Sequence, residues 1–146
     1  MIPVYQTRFG GFDSPVEEQG NCFQACVASI LEIPLEDAFD AIKYPDGKWF
    51  NEFNRWLKKY NLACLAFETS EEKPVSFSPL IGYAIMQCKS ATLPNKESHV
   101  VIIKDGVEVH DPNPHAHRIG ECEAVYFFIP LDIPKCARRT GSERVQ

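Results

Sequence analysis

Long apolar runs are missing from this chain. No stretch approaches the ~18 consecutive apolar residues of a membrane-spanning helix. The first residues lack the basic and apolar regions of a secretory signal. Both absences set the expectation of a cytoplasmic protein with no membrane partner, whose cysteines stay reduced. Basic charge is also scarce. Fifteen Lys and Arg stand against 20 Asp and Glu, a net charge of -5, so no nucleic-acid partner is expected. The six cysteines, at 22, 26, 64, 88, 122 and 136, form no Cys-x-x-Cys pair and no ordinary zinc spacing. Neither disulfide nor structural metal is expected. A chain of 146 residues needs neither, because a domain of that length buries about 68% of the surface its unfolded chain exposes. One domain is expected over residues 1–134, followed by a loosely held polar tail at 135–146.

What is present divides into two halves. Residues 2–6 read as a short edge strand, since Pro3 keeps them off a sheet centre. Residues 8–21 hold three glycines, a proline and several acids, and read as a loop. A helix opens at Cys22 and runs to about Leu31, with Ala25, Cys26, Ser29 and Ile30 inward. Ile33-Pro34 breaks it, and residues 35–42 read as a second short helix with acids in its first turn. Tyr44-Pro45-Asp46-Gly47 is a turn. Residues 49–60 give the clearest helix: Trp49, Phe50, Phe53, Trp56, Leu57 and Tyr60 form one stripe of helical period, expected as core. Strands follow at 62–67, 81–88 and 124–130, with a hairpin at 99–111 and loops at 69–78 and 90–98. Helices first and antiparallel strands later imply an α+β fold.

Two segments carry chemistry. In Gly20-Asn21-Cys22 a Gly-Asn pair stops the chain and the helix begins at the thiol. The positive end of the helix dipole favours thiolate there, the nucleophilic form. In Ser98-His99-Val100-Val101-Ile102-Ile103-Lys104-Asp105-Gly106-Val107-Glu108-Val109-His110-Asp111 a histidine and an aspartate close the two ends of a hairpin. A two-residue Asp105-Gly106 loop would put Asp111 and His99 on opposite faces. A three-residue loop from Lys104 to Gly106 would pair His99 with Asp111, Val101 with Val109 and Ile103 with Val107. That register makes one face apolar apart from the His-Asp pair, so the hydrophobic pattern selects it. An imidazole beside a carboxylate is the base-and-orienter pair of a nucleophilic site. His110 would then be a solvated strand residue. Cys26 should pack inside its helix, and a Cys22/Cys26 metal pair lacks further ligands at sensible spacing. His115-x-His117 has metal-pair spacing but no supporting carboxylate or cysteine.

Cys22-x-x-Ala25-Cys26-x-Ala28 opening a helix, then His99-Val100-Val101 and Asp111-Pro112, resemble the papain-like cysteine peptidase superfamily. The resemblance is nearest to the peptidase domains that trim double-glycine leaders from bacteriocins. It covers roughly residues 19–31 and 98–114, and elsewhere only element order agrees. It implies a papain-like α+β fold, with N-terminal helices packed on a twisted antiparallel sheet. It implies a Cys22 nucleophile, a His99 base and an Asp111 orienter, acting on a peptide or amide bond of a peptide or protein substrate through a thioester. No cofactor is required. Family members usually carry a glutamine about six residues before the cysteine to bind the oxyanion; Val16 stands there. Gln19 and Gln6 are the candidates to replace it, beside the Cys22 amide. The same residues also fit a transglutaminase-like acyltransferase, or a catalytically weak papain-like fold that binds proteins as an effector. Specificity is expected in the loops at 8–20, 69–79 and 89–98.

Overall fold

The computed structural model describes residues 1–44, 47–69, 82–90, 97–115 and 119–132. The expected loops at 69–78 and 90–98, and the turn at 44–47, fall partly outside those residues. His117, Cys136 and the 135–146 tail lie outside them altogether.

Helix α1 spans Cys22–Leu31, opening after a non-helical Asn21 as the sequence indicates, and ending at a left-handed Glu32 (φ 56°). Every residue from Gln24 to Ser29 is buried. Ala25, Ala28 and Ser29 are small enough to let neighbouring chain approach from several sides. Ile30, expected inward, is half-buried. The Ser29 hydroxyl donates to Ala25 O and accepts from Val4 N, both at 2.8 Å. Ile2 N adds a bond to Ser29 O at 3.2 Å and Gln6 N another to Pro112 O at 2.9 Å. Residues 2–6 are therefore strapped along α1 and the 112 turn rather than forming the expected edge strand. Pro3, which has no N–H, interrupts the regular donor pattern a sheet would need.

The expected helix at 35–42 is instead two 3-10 turns, Leu35–Asp37 and Ala41–Lys43, separated by an extended Ala38. The cause is Asp40. Its Oδ1 accepts from Ile42 N at 3.3 Å and its Oδ2 takes the Arg8 guanidinium at 2.7 Å. A short acidic side chain that bonds its own downstream backbone competes with helix continuation.

Helix α2 spans Trp49–Leu57, continues as a 3-10 turn at Lys58–Tyr60, and stops at a left-handed Asn61 (φ 58°). The aromatic stripe is core, as expected. Phe53 is fully buried, with ring centroids of Phe23 and Phe39 at 5.2 Å and of Trp56 and Phe128 at 6.1 Å. Phe53→Ala is expected to cost about 3–5 kcal/mol, the transfer and cavity cost of a buried phenyl. Urea unfolding measures it, and a loss under about 1 kcal/mol would show that this cluster does not hold the fold.

Five antiparallel strands follow: β1 (Leu62–Glu68), β2 (Tyr83–Ser90), β3 (Ser98–Lys104), β4 (Val107–His110) and β5 (Ile119–Pro130). Their order across the sheet is β1-β5-β2-β3-β4. β5 begins earlier than its apolar run at 124–130, because Cys122 and Ile119 also pair with β2 across register shifts. Alternation divides the sheet. Ile85, Val100, Ile102, Ala124 and Tyr126 meet Val27, Ala28, Phe53 and Leu57 in the main core. Ala84, Ile103 and Val125 form a smaller cluster on the other face. The architecture is mixed α+β, helices on an antiparallel sheet. Among the described residues no helix is long and apolar enough to cross a membrane.

Candidate functional site

Cys22 stands at the first position of α1, and the chain arriving there is held by one side chain. Asn21 is 4% exposed. Its Oδ1 accepts from Thr7 N at 3.0 Å and Arg8 N at 2.9 Å, and its Nδ2 donates to Gln24 Oε1 at 3.0 Å. It makes no capping bond of the usual kind. It anchors the incoming loop to the helix start, and so fixes where the thiol sits. Sequence reasoning read Asn21 only as a stop signal; burial, which spacing does not report, revealed its other bonds.

The hairpin departs from the expected register. The loop has two residues, with Lys104 paired to Val107 and Ile103 to Glu108. Asp105 and Gly106 both have positive φ, 51° and 82°. That is the turn whose twist matches a hairpin, and Gly supplies the second left-handed position without strain. The register then shifts, and Ile102 pairs with His110. Val109 is the extra residue of a bulge. Val107 and Val109 are accordingly exposed, not part of an apolar face with Val101 and Ile103. His99 and Asp111 are not directly opposed. The ladder ends with Ile102 paired to His110, and Asp111 lies just beyond the paired strand.

The two side chains still meet: His99 Nε2 lies 2.8 Å from Asp111 Oδ1. The same oxygen accepts from Asn113 N at 2.8 Å, so the Asp111-Pro112-Asn113 turn locks the carboxylate in place. With Nε2 engaged by the carboxylate, the ring is also close enough to Cys22 for the thiol to act on its pKa. His99 is 4% exposed. Burial is the largest influence on its pKa and pulls it down. The hydrogen bonds to Asp111 and Cys22, with the charges of both, outweigh burial and raise it to about 9. A histidine in this setting is an imidazolium at neutral pH.

The remaining described thiols are held neutral. Burial pushes Cys64 and Cys88 up to about 12 and raises Cys122. It raises Cys26 well above the ordinary thiol value, with the Cys22 and Asp111 charges adding to the effect. Cys26 packs inside α1 against Val100 O at 3.9 Å, as its place in the helix pattern suggests. His110, expected to be solvated, is buried. Its Nε2 bonds Val4 O at 2.9 Å and its ring meets Tyr5 edge-on at 5.1 Å. The bulge turned it inward, where the strap of residues 2–6 covers it. His115 stands on Phe9, centroids 5.5 Å apart. Among the described residues no group of three His, Cys, Asp or Glu is placed to hold a metal ion.

Cys22 and His99 line a cleft of about 70 Å³. One wall is the loop at 9–12. It is folded on itself by Gly10 N to Glu18 O at 2.9 Å and Gly20 N to Gly10 O at 2.8 Å. A side chain on Gly10 would collide with Glu18 O and Ser14, so this close approach needs glycine. Glu97, from the opposite wall, accepts from Phe12 N at 3.3 Å. Both candidate glutamines border the cleft, but they differ. Gln19 Nε2 donates to Phe12 O at 3.2 Å and Ser14 O at 3.0 Å, which uses both amide protons on the loop. Gln6 Nε2 gives one proton to Arg8 O at 2.9 Å, and its Oε1 is buried with no partner. Val16, at the usual glutamine position, is exposed on a short 3-10 turn.

Comparisons with protein-family models, with curated proteins and with solved structures find no match for this chain.

Proposed function

We propose that this protein is a papain-like cysteine hydrolase that cleaves a peptide or amide bond through Cys22, His99 and Asp111. The observation that carries the proposal is the His99–Asp111 bond, base to orienter, with His99 and the Cys22 nucleophile lining one cleft. Cys22 attacks the substrate carbonyl as thiolate, paired with the His99 imidazolium. The oxyanion that forms is held by the Cys22 backbone N–H, which as the first of α1 has no acceptor within the helix. Gln6 supplies the second donor through its remaining amide proton, and Gln19 is a wall residue. His99 gives its proton to the leaving amine as the C–N bond breaks, leaving an acyl thioester on Cys22. Water then attacks the thioester with His99 taking its proton, which frees the acid and restores the thiol. Asp111 keeps the ring oriented throughout. No cofactor enters this sequence.

Limiting iodoacetamide at pH 6, followed by peptide mapping, tests the nucleophile. Cys22 should be labelled first and alone among the described cysteines, since the other four are held neutral by burial. Equal labelling of several cysteines sinks the assignment. Incubation with a peptide mixture, with and without an added amine, then identifies whether water or an amine accepts the acyl group.

A further inference from the structure

Two thiols that the proposed mechanism leaves unused face each other across the sheet. Cys88 on β2 and Cys122 on β5 are direct cross-strand partners, so their side chains stand on one face. Each is close enough to act on the other's pKa. Cys88 is 1% exposed, and Cys122 is half-buried in the small cluster that holds Met86 and Phe127. On its other side Cys88 pairs with His99 of β3. Cys122, Cys88 and His99 thus form one row across three strands. The geometry suits a disulfide after a small movement. Opposed antiparallel residues have Cα atoms about 4.5 or 5.5 Å apart, inside the roughly 4.4–6.8 Å range of disulfides. Their Cβ atoms lie about 4.5–5.5 Å apart, against roughly 3.8 Å in a disulfide, so closure draws the strands together by about 1 Å. The ladder permits it: the register shifts on both sides of the pair, between Gln87 and Cys88 and between Cys88 and Ser90. With an irregularity at each end, no regular ladder resists the approach.

We propose that Cys88 and Cys122 are a redox modification site: glutathione disulfide converts them to a cross-strand disulfide, and its closure displaces His99. Cys122, the more exposed thiol, reacts first. Its thiolate bonds to one glutathione sulfur, the S–S bond of glutathione disulfide breaks, and one glutathione leaves. The Cys88 thiolate then attacks the Cys122 sulfur and expels the second glutathione. The two protein thiols give up two electrons and two protons, and the two departing glutathiones take them. Burial pushes Cys88 up to about 12 and raises Cys122, so the exchange is slow near neutral pH. A disulfide that works against the resting strand spacing is of the labile, reversible kind. Its formation stands apart from the hydrolase reading; its effect on turnover rests on that reading. A shift of about 1 Å at a positioned group can cost about 10²-fold in rate.

The test starts from Cys22→Ala, which removes the competing thiol. The protein is held in oxidised glutathione at pH 8.5, quenched with N-ethylmaleimide in urea, and mapped. The Cys88 peptide should be joined to the Cys122 peptide in most chains, and dithiothreitol should reverse the link. The ring resonance of His99, assigned by its loss on His99→Ala, should move on oxidation. It should stay in place when Cys122→Ser is added. Cys88 and Cys122 both still open to N-ethylmaleimide, or each carrying its own glutathione, overturn the site. Linked peptides with an unmoved His99 resonance overturn the displacement. In the oxidised wild type, peptide turnover per chain whose Cys22 is free of glutathione should fall to about a hundredth; unchanged turnover overturns the link to His99. If the reduced wild type turns over no peptide either, the hydrolase reading fails, and the map and the spectrum still decide the disulfide. Should the C122S chain not fold, the map and spectrum of C22A decide.

Discussion

Cys22→Ala is expected to lower turnover of any cleaved peptide by about 10⁴- to 10⁶-fold, the scale found when a covalent nucleophile is removed from a preorganised site. The loss should fall on kcat. The cleft and its 9–12 wall do not depend on the sulfur, so substrate binding persists. Cys26→Ala is the control. That thiol is fully buried, four residues along α1, with its sulfur against Val100 O. Its replacement should alter stability and leave turnover within the same order. Peptide turnover by mass spectrometry, with binding measured separately, checks both. If C22A retains more than about a hundredth of wild-type turnover, the reaction does not pass through a Cys22 thioester.

The second large effect is on His99. His99→Ala should reduce turnover by about 10²- to 10⁴-fold, the usual worth of a positioned acid-base. It should also remove a pH dependence of stability. The folded pKa of His99, raised to about 9, lies above the ~6.5 of an unfolded histidine. Between those values the folded state holds an extra proton. The stability that this proton contributes is whole below about pH 6.5 and is lost as the pH climbs through about 9. The shift corresponds to at most about 3 to 4 kcal/mol. Urea unfolding of the wild type should therefore weaken from pH 6 to pH 10, and H99A should show less of that slope. Turnover should fall along an alkaline limb as His99 loses the proton the leaving amine needs. A wild-type slope identical to that of H99A would mean that the imidazole is not held charged by Asp111 and Cys22.

Much of this arrangement was readable in local terms. The start of α1 at Cys22 follows from Gly20-Asn21 and an unbroken run of helix formers, signals carried by adjacent residues. The stripe from Trp49 to Leu57 announces a helix with a buried face, because helical period and burial are linked by geometry alone. The change from helices to strands at Leu62 gives the α+β class. Cys22, His99 and Asp111 could be singled out because each stands at the end of an element whose type the pattern reveals. The Asp105-Gly106 turn was equally visible as a turn.

What the pattern could not decide was anything that depends on a distant partner. The bulge at Val109 arises because β3 pairs with β4 near the turn, while beyond it His110 is drawn inward to Val4 O. No spacing within the hairpin contains Val4. Residues 35–42 have helical composition, but Asp40 is claimed by Arg8, 32 residues away, and the helix breaks into two turns. Asn21 reads only as a stop signal until Thr7 and Arg8 fold back onto it. The two glutamines were indistinguishable in sequence. The loop that consumes the Gln19 amide, and the strap that carries Gln6 into the cleft, separate them. The His99 pKa belongs to the same class: it is a balance between burial and two neighbours, Asp111 and Cys22, that only the folded chain brings close. Sequence by itself determined the elements and the chemistry they carry. Tertiary structure decided register, side-chain partners and charge state, because those are set by contacts between residues far apart in the chain.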